Sequence, residues 1–212
     1  MFLIQAAVLF GASGNFAWAW AWLFLAVQLA GVVLNTSILL RRSPATIAER
    51  ADAQGMKDWD KLVAGLWAVC YFLALLGVAG LDVRFGWTGT MPIGVRVAGL
   101  AGFVAGFVLV SWAMISNAYF SAVARVRMER GHRVCSDGPY RWVRHPGYIG
   151  AIVQGPALAL MLGSAWALIP AAVAAVLMIL RTILEDRMLM GELDGYVAYS
   201  RIVPWRLVPR VW

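Results

Sequence analysis

Polar residues that could do chemistry flank one predicted helical hairpin. Arg144 and His145 directly precede its first apolar arm, and the second arm ends in a charged group, Arg181, Glu185 and Asp186. Arms of roughly 18 and 21 residues rise ~27 Å and fall ~31 Å at 1.5 Å per residue, so both ends return to nearly one depth. The sequence therefore predicts that these cations and acids meet at one end of the hairpin.

Local signals place the start of the hairpin. Gly138-Pro139 is a turn signal, and Pro146 suits the first position of a helix, where its missing N–H costs nothing. His145 is therefore predicted to be the N-cap. The residues also permit simpler roles. His145 could only cap the helix and Arg144 only bind lipid headgroups. Three nearby aromatic residues could form an interfacial belt: Tyr140, Trp142 and Tyr148.

Arg181 and Glu185 are four residues apart and so project from one helix face, with Arg181 one turn deeper. A cation at that depth is costly and usually faces a partner or a wet cavity. A structural ion pair between these two residues is the simpler interpretation.

Composition excludes an ordinary soluble domain. Hydrophobic residues make up 62% of the 212, charged residues only 14%, and the mean hydropathy is +0.74, which together predict a polytopic membrane protein. Lys57 and Lys61 are the only lysines, and the many arginines, alanines and glycines are typical of a GC-rich bacterial genome. We therefore expect an integral protein of a bacterial inner membrane.

The net charge of +7 does not indicate nucleic acid, because the cations cluster in loops beside apolar spans, where they orient the chain and attract anionic headgroups. Cys70 and Cys135 are isolated, without CxxC or a His/Cys cluster, so neither a disulfide framework nor a metal site is predicted.

Apolar stretches predict an all-α bundle of about five membrane helices. The candidate spans are 16–40, 62–81, 93–115, and the hairpin arms 148–162 and 165–180, which turn back at Gly163-Ser164. Residues 1–12 are apolar but short, so a half-span and an interfacial helix both stay open. Gly99, Gly102 and Gly106 lie inside a span and predict close helix packing.

Lysines and arginines are concentrated in alternate loops: five in 41–61, two in 82–96, six in 118–145 and five in 181–212. The positive-inside rule makes the first, third and last of these segments cytoplasmic. The base of the hairpin and the C-terminal tail would then face the cytoplasm. The tail, 191–212, is too polar to span the membrane. It is expected either to close over a ligand or to lie at the interface as an amphipathic helix. Asn117 is expected either to end its helix or to contact the ligand.

Between 138 and 204 the chain resembles the isoprenylcysteine carboxyl methyltransferase family, which is related to phospholipid N-methyltransferases. The resemblance rests on several short matches in the family's order and spacing: Gly138-Pro139-Tyr140, Arg144-His145-Pro146 with Tyr148 and Gly150, Arg181 with Glu185-Asp186, and Tyr196, Tyr199 and Arg201-Ile202-Val203-Pro204. Asp186 stands where the family commonly has a second Glu, and Gly147 where it often has a bulkier residue.

The resemblance implies a membrane enzyme that takes S-adenosylmethionine from the cytosol and methylates a lipophilic acceptor from the bilayer. It implies one domain, 1–212, with N-terminal membrane helices in 1–117 and a catalytic region in 118–212 whose hairpin spans 146–185. Arg181 and Glu185 are the predicted catalytic residues, and Asn117 and Arg181 the predicted substrate contacts. The predicted cofactor-binding residues are Tyr140, Arg144, His145, Pro146, Tyr148, Gly150, Glu185, Asp186 and Tyr199.

The acceptor and the oligomeric state are left open. Arg181 is expected to orient an anionic acceptor such as an isoprenylcysteine-like carboxylate. An amine or thiol acceptor would instead have to lose a proton, with Glu185 as the candidate base; a phenol is also possible. Membrane lipids are expected partners, and nucleic acid is not.

Two other functions compete. Sterol reductases resemble this family near the C-terminus and use NADPH. In this chain Arg201 and Arg206 could bind the 2′-phosphate of NADPH. A non-enzymatic scaffold or transporter would leave the charged residues as interfacial anchors, but transport predicts ionisable residues at mid-membrane or an internal repeat, and the sequence has neither.

Overall fold

The computed structural model describes residues 1–42, 47, 54–128 and 131–212. The helices are α1 (Phe2–Ser13), α2 (Ala19–Arg42), α3 (Asp58–Phe85), α4 (Ile93–Ser116), α5 (Pro146–Leu162), α6 (Leu168–Glu192) and α7 (Tyr196–Ile202). One π-helical turn, Cys70–Ala74, interrupts α3, and a short 3-10 helix, Gly138–Arg141, precedes α5. Among the described residues the regular structure is all helical, which confirms the predicted class.

In the described part of the chain, four helices are long and apolar enough to cross a membrane: α2, α3, α4 and α6. With 17 residues α5 is a shorter apolar helix, and it forms the rising arm of the hairpin with α6. The 12-residue α1 packs against α3 and α2 and buries Leu9 and Phe10. The predicted polytopic helical membrane bundle is thus confirmed, with α1 and α5 as shorter apolar helices beside the four candidate spans of the described residues.

The hairpin differs from the prediction at its far arm. Gly163 adopts a left-handed conformation and ends α5, which confirms the turn, but α6 begins at Leu168 and runs on to Glu192 rather than ending near residue 185. The chain stays helical there because its buried polar side chains find partners on other segments. Arg181 and Asp186 are both buried and paired.

Glycines bring α4 and α5 into close contact. A Cβ atom at Gly99 would lie 2.5 Å from the Met161 nitrogen, and one at Gly106 would lie 2.8 Å from the Gly150 oxygen. Gly102 is close to Ala157 as well. Small residues allow helix backbones to approach this closely in a membrane, so the predicted packing role of these α4 glycines is confirmed.

At the turn of the hairpin, Asp82 ties three segments together. Its carboxylate accepts hydrogen bonds from the Thr88 backbone N–H at 2.7 Å and from the Ser164 hydroxyl at 2.5 Å. The Ser164 hydroxyl in turn accepts a bond from the N–H of Ala167, the residue before α6, at 3.0 Å. The far end of the hairpin is therefore fixed, which holds the register of α5 against α6.

Candidate active site

Asp186 is the centre of a buried ionic cluster at the base of the hairpin. The side chain is fully buried, and the Arg144 guanidinium donates to both of its oxygens, Nε to Oδ1 at 2.8 Å and Nη2 to Oδ2 at 2.9 Å. Tyr196 Oη donates to Oδ1 at 2.9 Å and Arg206 Nε to Oδ2 at 2.8 Å. His145 Nε2 lies 3.2 Å from Oδ1. The hairpin therefore brings together residues 41 positions apart, as its geometry predicted.

Arg144 also ties the C-terminal tail to the start of α5. Its Nη1 donates to the carbonyls of Val203 and Pro204 at 2.9 and 2.8 Å, and its backbone N–H donates to the Trp205 carbonyl at 2.9 Å. Burial opposes the charge of Arg144, but the hydrogen bonds and negative charge of Asp186 outweigh it, so the pKa of Arg144 lies above its ordinary value. The tail thus packs against the site as part of its wall.

A second buried ion pair involves a residue that sequence reasoning missed. Arg181 donates through Nε and Nη2 to the two oxygens of Asp60 at 2.7 and 2.9 Å, and Nη2 also reaches the Ala122 carbonyl at 2.8 Å. The simpler interpretation of an Arg181–Glu185 pair is therefore wrong, because the partner is Asp60. The signal in the sequence was an acid two residues before the apolar stretch 62–81, at a depth where a carboxylate needs a partner.

Glu185 contacts Tyr148 instead. The Tyr148 hydroxyl donates to Glu185 Oε2. The guanidinium carbon of Arg181 lies 5.4 Å from the centre of the Tyr148 ring, and the His145 ring stacks on that ring at 5.6 Å with an interplanar angle of 5°. Tyr148 thus lies between the two ion pairs and presents its hydroxyl to Glu185.

These groups surround a cleft of about 740 Å³ that is open to solvent. Its walls come from the segment after α4, the 3-10 helix, the base of the hairpin and α7. Seven of the predicted site residues line it: Asn117, Tyr140, Arg144, His145, Tyr148, Glu185 and Tyr199. Other lining residues include Tyr119, Phe120, Arg125, His132, Arg133, Cys135 and Tyr196. The cleft thus combines aromatic rings, cations and one described acid, Glu185.

Four predicted residues lie outside the lining. Asp186 and Arg181 are buried beside the wall, where they hold Arg144 and Tyr148. Pro146 is buried at the first turn of α5. Gly150 lies on the face of α5 that packs against α4, since a Cβ there would lie 2.5 Å from the Gly106 oxygen. Direct ligand contact by these four residues remains a prediction, and their observed contacts are with the protein.

Two tyrosines of the cleft lining, Tyr140 and Tyr199, are held by hydrogen bonds. The Tyr199 hydroxyl donates to the Tyr140 carbonyl at 2.7 Å, and Asn117 Nδ2 lies 3.5 Å from the Tyr140 hydroxyl. Asn117 also follows the last residue of α4, and its Oδ1 accepts the Tyr119 N–H at 2.9 Å, so it ends the helix and lines the cleft. Burial raises the pKa of Tyr140 and of Tyr199, which keeps both hydroxyls protonated.

The fold and the cleft define a polytopic helical membrane protein with a polar site at one end of its spans. Residues 97–191 match the model of the isoprenylcysteine carboxyl methyltransferase (ICMT) family. The matched segment contains α4, α5 and nearly all of α6, and the match confirms the family predicted from the sequence. The match supports a membrane methyltransferase. No curated protein matches the chain.

Proposed function

We propose that the protein transfers a methyl group from S-adenosylmethionine to a lipophilic acceptor at the cytoplasmic face of the membrane. The observation that carries the proposal is the cleft at the base of the hairpin, because it lies at the end of membrane helices and most of its lining falls within the ICMT match. The lysines and arginines of 118–145 and 181–212 support the cytoplasmic orientation.

The side chains that line the cleft suit the chemistry of S-adenosylmethionine. Glu185 is placed to accept hydrogen bonds from an amino group or ribose hydroxyls, and Tyr140, Tyr148 and Tyr199 offer rings that can pack against adenine. His145 and the N-terminus of α5 would hold the carboxylate, with the charge of Arg144 beside them. The Nε and Nη1 atoms of Arg144 are already engaged with Asp186 and two tail carbonyls.

When bound, S-adenosylmethionine supplies a methyl group on an electrophilic sulfonium. The protein's contribution is then to align the acceptor and to exclude water. The tail supports water exclusion, because Tyr196 and Tyr199 are buried and line the cleft beside the ion pair of Arg206 with Asp186. Since the pKa of Tyr196 is raised, by burial first and by the charge of Asp186 second, its hydroxyl stays a donor in this wall.

Arg181 has fewer hydrogen-bond donors left for an acceptor than its charge suggests. Its Nε and Nη2 atoms already contact Asp60 and the Ala122 carbonyl, so a paired contact with an acceptor carboxylate along that edge would require the loss of these bonds. We therefore propose that Arg181 meets the polar group of the acceptor only through Nη1. Glu185 is the candidate base for an acceptor that must lose a proton.

One of the two arginines that the reductase alternative requires for NADPH binding is engaged elsewhere. Arg206, a candidate for binding the 2′-phosphate of NADPH, donates to Asp186 at 2.8 Å and is engaged inside the protein. NADPH therefore serves as the negative control for the binding test.

Calorimetric titration of the detergent-purified protein with S-adenosylhomocysteine tests the proposal, with the Glu185→Ala variant and NADPH measured alongside. We expect saturable binding that the variant weakens and no heat from NADPH. Binding of NADPH alone would replace the methyltransferase with a reductase, and the absence of both would contradict any nucleotide-dependent function for this cleft.

A further inference from the structure

Asp60 lies outside the segment that matches the ICMT family and outside the cleft lining, yet it is fully buried at the base of the site. It belongs to the first turn of α3. Its carboxylate accepts hydrogen bonds from the Arg181 guanidinium and from the Ala124 backbone N–H, the latter at 2.6 Å. One side chain of the N-terminal helices therefore connects α3, the 121–125 segment and α6.

Neighbouring contacts reinforce this junction. Lys57 Nζ pairs with Glu192 at 2.8 Å, and the Lys57 N–H donates to the Ala124 carbonyl at 3.4 Å. Arg125 Nη1 reaches the Gln54 carbonyl at 2.6 Å. Since Ser121, Val123 and Arg125 line the cleft, the start of α3 supports one wall of the site from outside.

A continuous series of contacts leads from Asp60 to the cleft. Asp60 holds Arg181, the Arg181 guanidinium lies over the Tyr148 ring, and the Tyr148 hydroxyl donates to Glu185. Arg181 has several rotatable bonds and a charge that seeks a partner, so without Asp60 it would move towards another acceptor, of which Glu185 is the nearest along its own helix face. Such a move would compete with Tyr148 for Glu185.

We propose that Asp60 is a positioning residue of the active site, which acts through Arg181 and Tyr148 to leave the Glu185 carboxylate directed into the cleft. The inference rests on the proposed function, because it assigns Glu185 to the S-adenosylmethionine site. It adds a requirement that the matched segment alone does not contain: a carboxylate at the start of α3.

The test is a double-mutant cycle on the dissociation constant for S-adenosylhomocysteine, with Asp60→Asn, Glu185→Gln and the double variant. We expect Asp60→Asn to weaken binding by about tenfold, and to weaken it much less in the Glu185→Gln background, because contacting residues of one network are not additive. Asp58→Asn is the matched control, since the Asp58 side chain is 94% exposed and pairs with Lys61. It should leave the dissociation constant unchanged.

Thermal unfolding of each variant separates positioning from folding. A lower unfolding temperature for Asp60→Asn with an unchanged dissociation constant overturns the proposal, and so does an equal loss of affinity in both backgrounds. If Asp60→Asn does not fold, Asp60→Glu keeps the charge and should bind with intermediate affinity; wild-type affinity in that variant overturns the proposal. A wild-type protein that binds no S-adenosylhomocysteine contradicts the proposed function itself, which distinguishes that failure from a failure of the inference.

Discussion

Replacing Asp186 with Asn should destabilise the protein strongly. The substitution keeps the shape of the side chain but removes the charge that Arg144, Tyr196 and Arg206 all donate to, and an amide nitrogen would point at one of these donors. Arg144, 5% exposed, would remain as a buried cation without its counter-ion. Breaking such a pair by removing one partner costs about 3–5 kcal/mol.

For a chain of this size, about 3–5 kcal/mol corresponds to a fall in unfolding temperature of roughly 6–20 °C. The assay is intrinsic tryptophan fluorescence during a thermal ramp in detergent. The control is Asp137→Asn, because Asp137 is 79% exposed on its side chain and lies 3.5 Å from Arg141 in an ion pair of the kind that contributes about 0–1 kcal/mol. If the two variants unfold within about 2 °C of each other, a difference worth less than roughly 1 kcal/mol, the cluster does not stabilise the fold as reasoned.

Two further predictions test the cleft and the packing around it. Burial raises the pKa of the Cys135 thiol, so maleimide should label it slowly at pH 7 in a Cys70→Ala background, with a rate that rises about tenfold per pH unit towards the pKa. Because Cys135 lines the cleft, S-adenosylhomocysteine should slow the labelling further. Equal labelling rates with and without S-adenosylhomocysteine would place the ligand elsewhere. Gly150→Ala should lower the unfolding temperature by an amount equivalent to about 1–3 kcal/mol, because the new Cβ would meet the Gly106 carbonyl. Gly94→Ala is the control and should not lower the unfolding temperature, because Gly94 has open space around it. Equal stability of the two variants would contradict the packing role of Gly150.

The sequence predicted the helical bundle and the meeting of charged side chains at the base of the hairpin, for a physical reason. Long apolar stretches have one way to satisfy their backbone in a membrane, so composition alone leads to helices. Two arms of similar length then have to return to one depth, which places Arg144 and His145 beside Asp186 without any knowledge of side-chain contacts. Turn and cap signals at Gly138, Pro146 and Gly163 agree with the structure because they are local.

Side-chain partners are where the prediction failed. Arg181 and Glu185 share a helix face, yet their observed contacts are with Asp60 and Tyr148, since α3 and α5 bring those groups to the same depth. Gly150 packs closely against α4, a contact that its motif did not indicate, while its predicted contact with the cofactor remains a prediction. Neither outcome follows from spacing along one helix.

What the sequence determined by itself was the fold class, the family, and the end of the bundle at which the polar residues gather, because those depend on local pattern and on chain length. Only the tertiary structure decided which carboxylate neutralises which arginine, and therefore which acid faces the cleft. Ion pairing in a buried site depends on the relative rotation and depth of helices that are far apart in the chain: 121 residues separate Asp60 from Arg181.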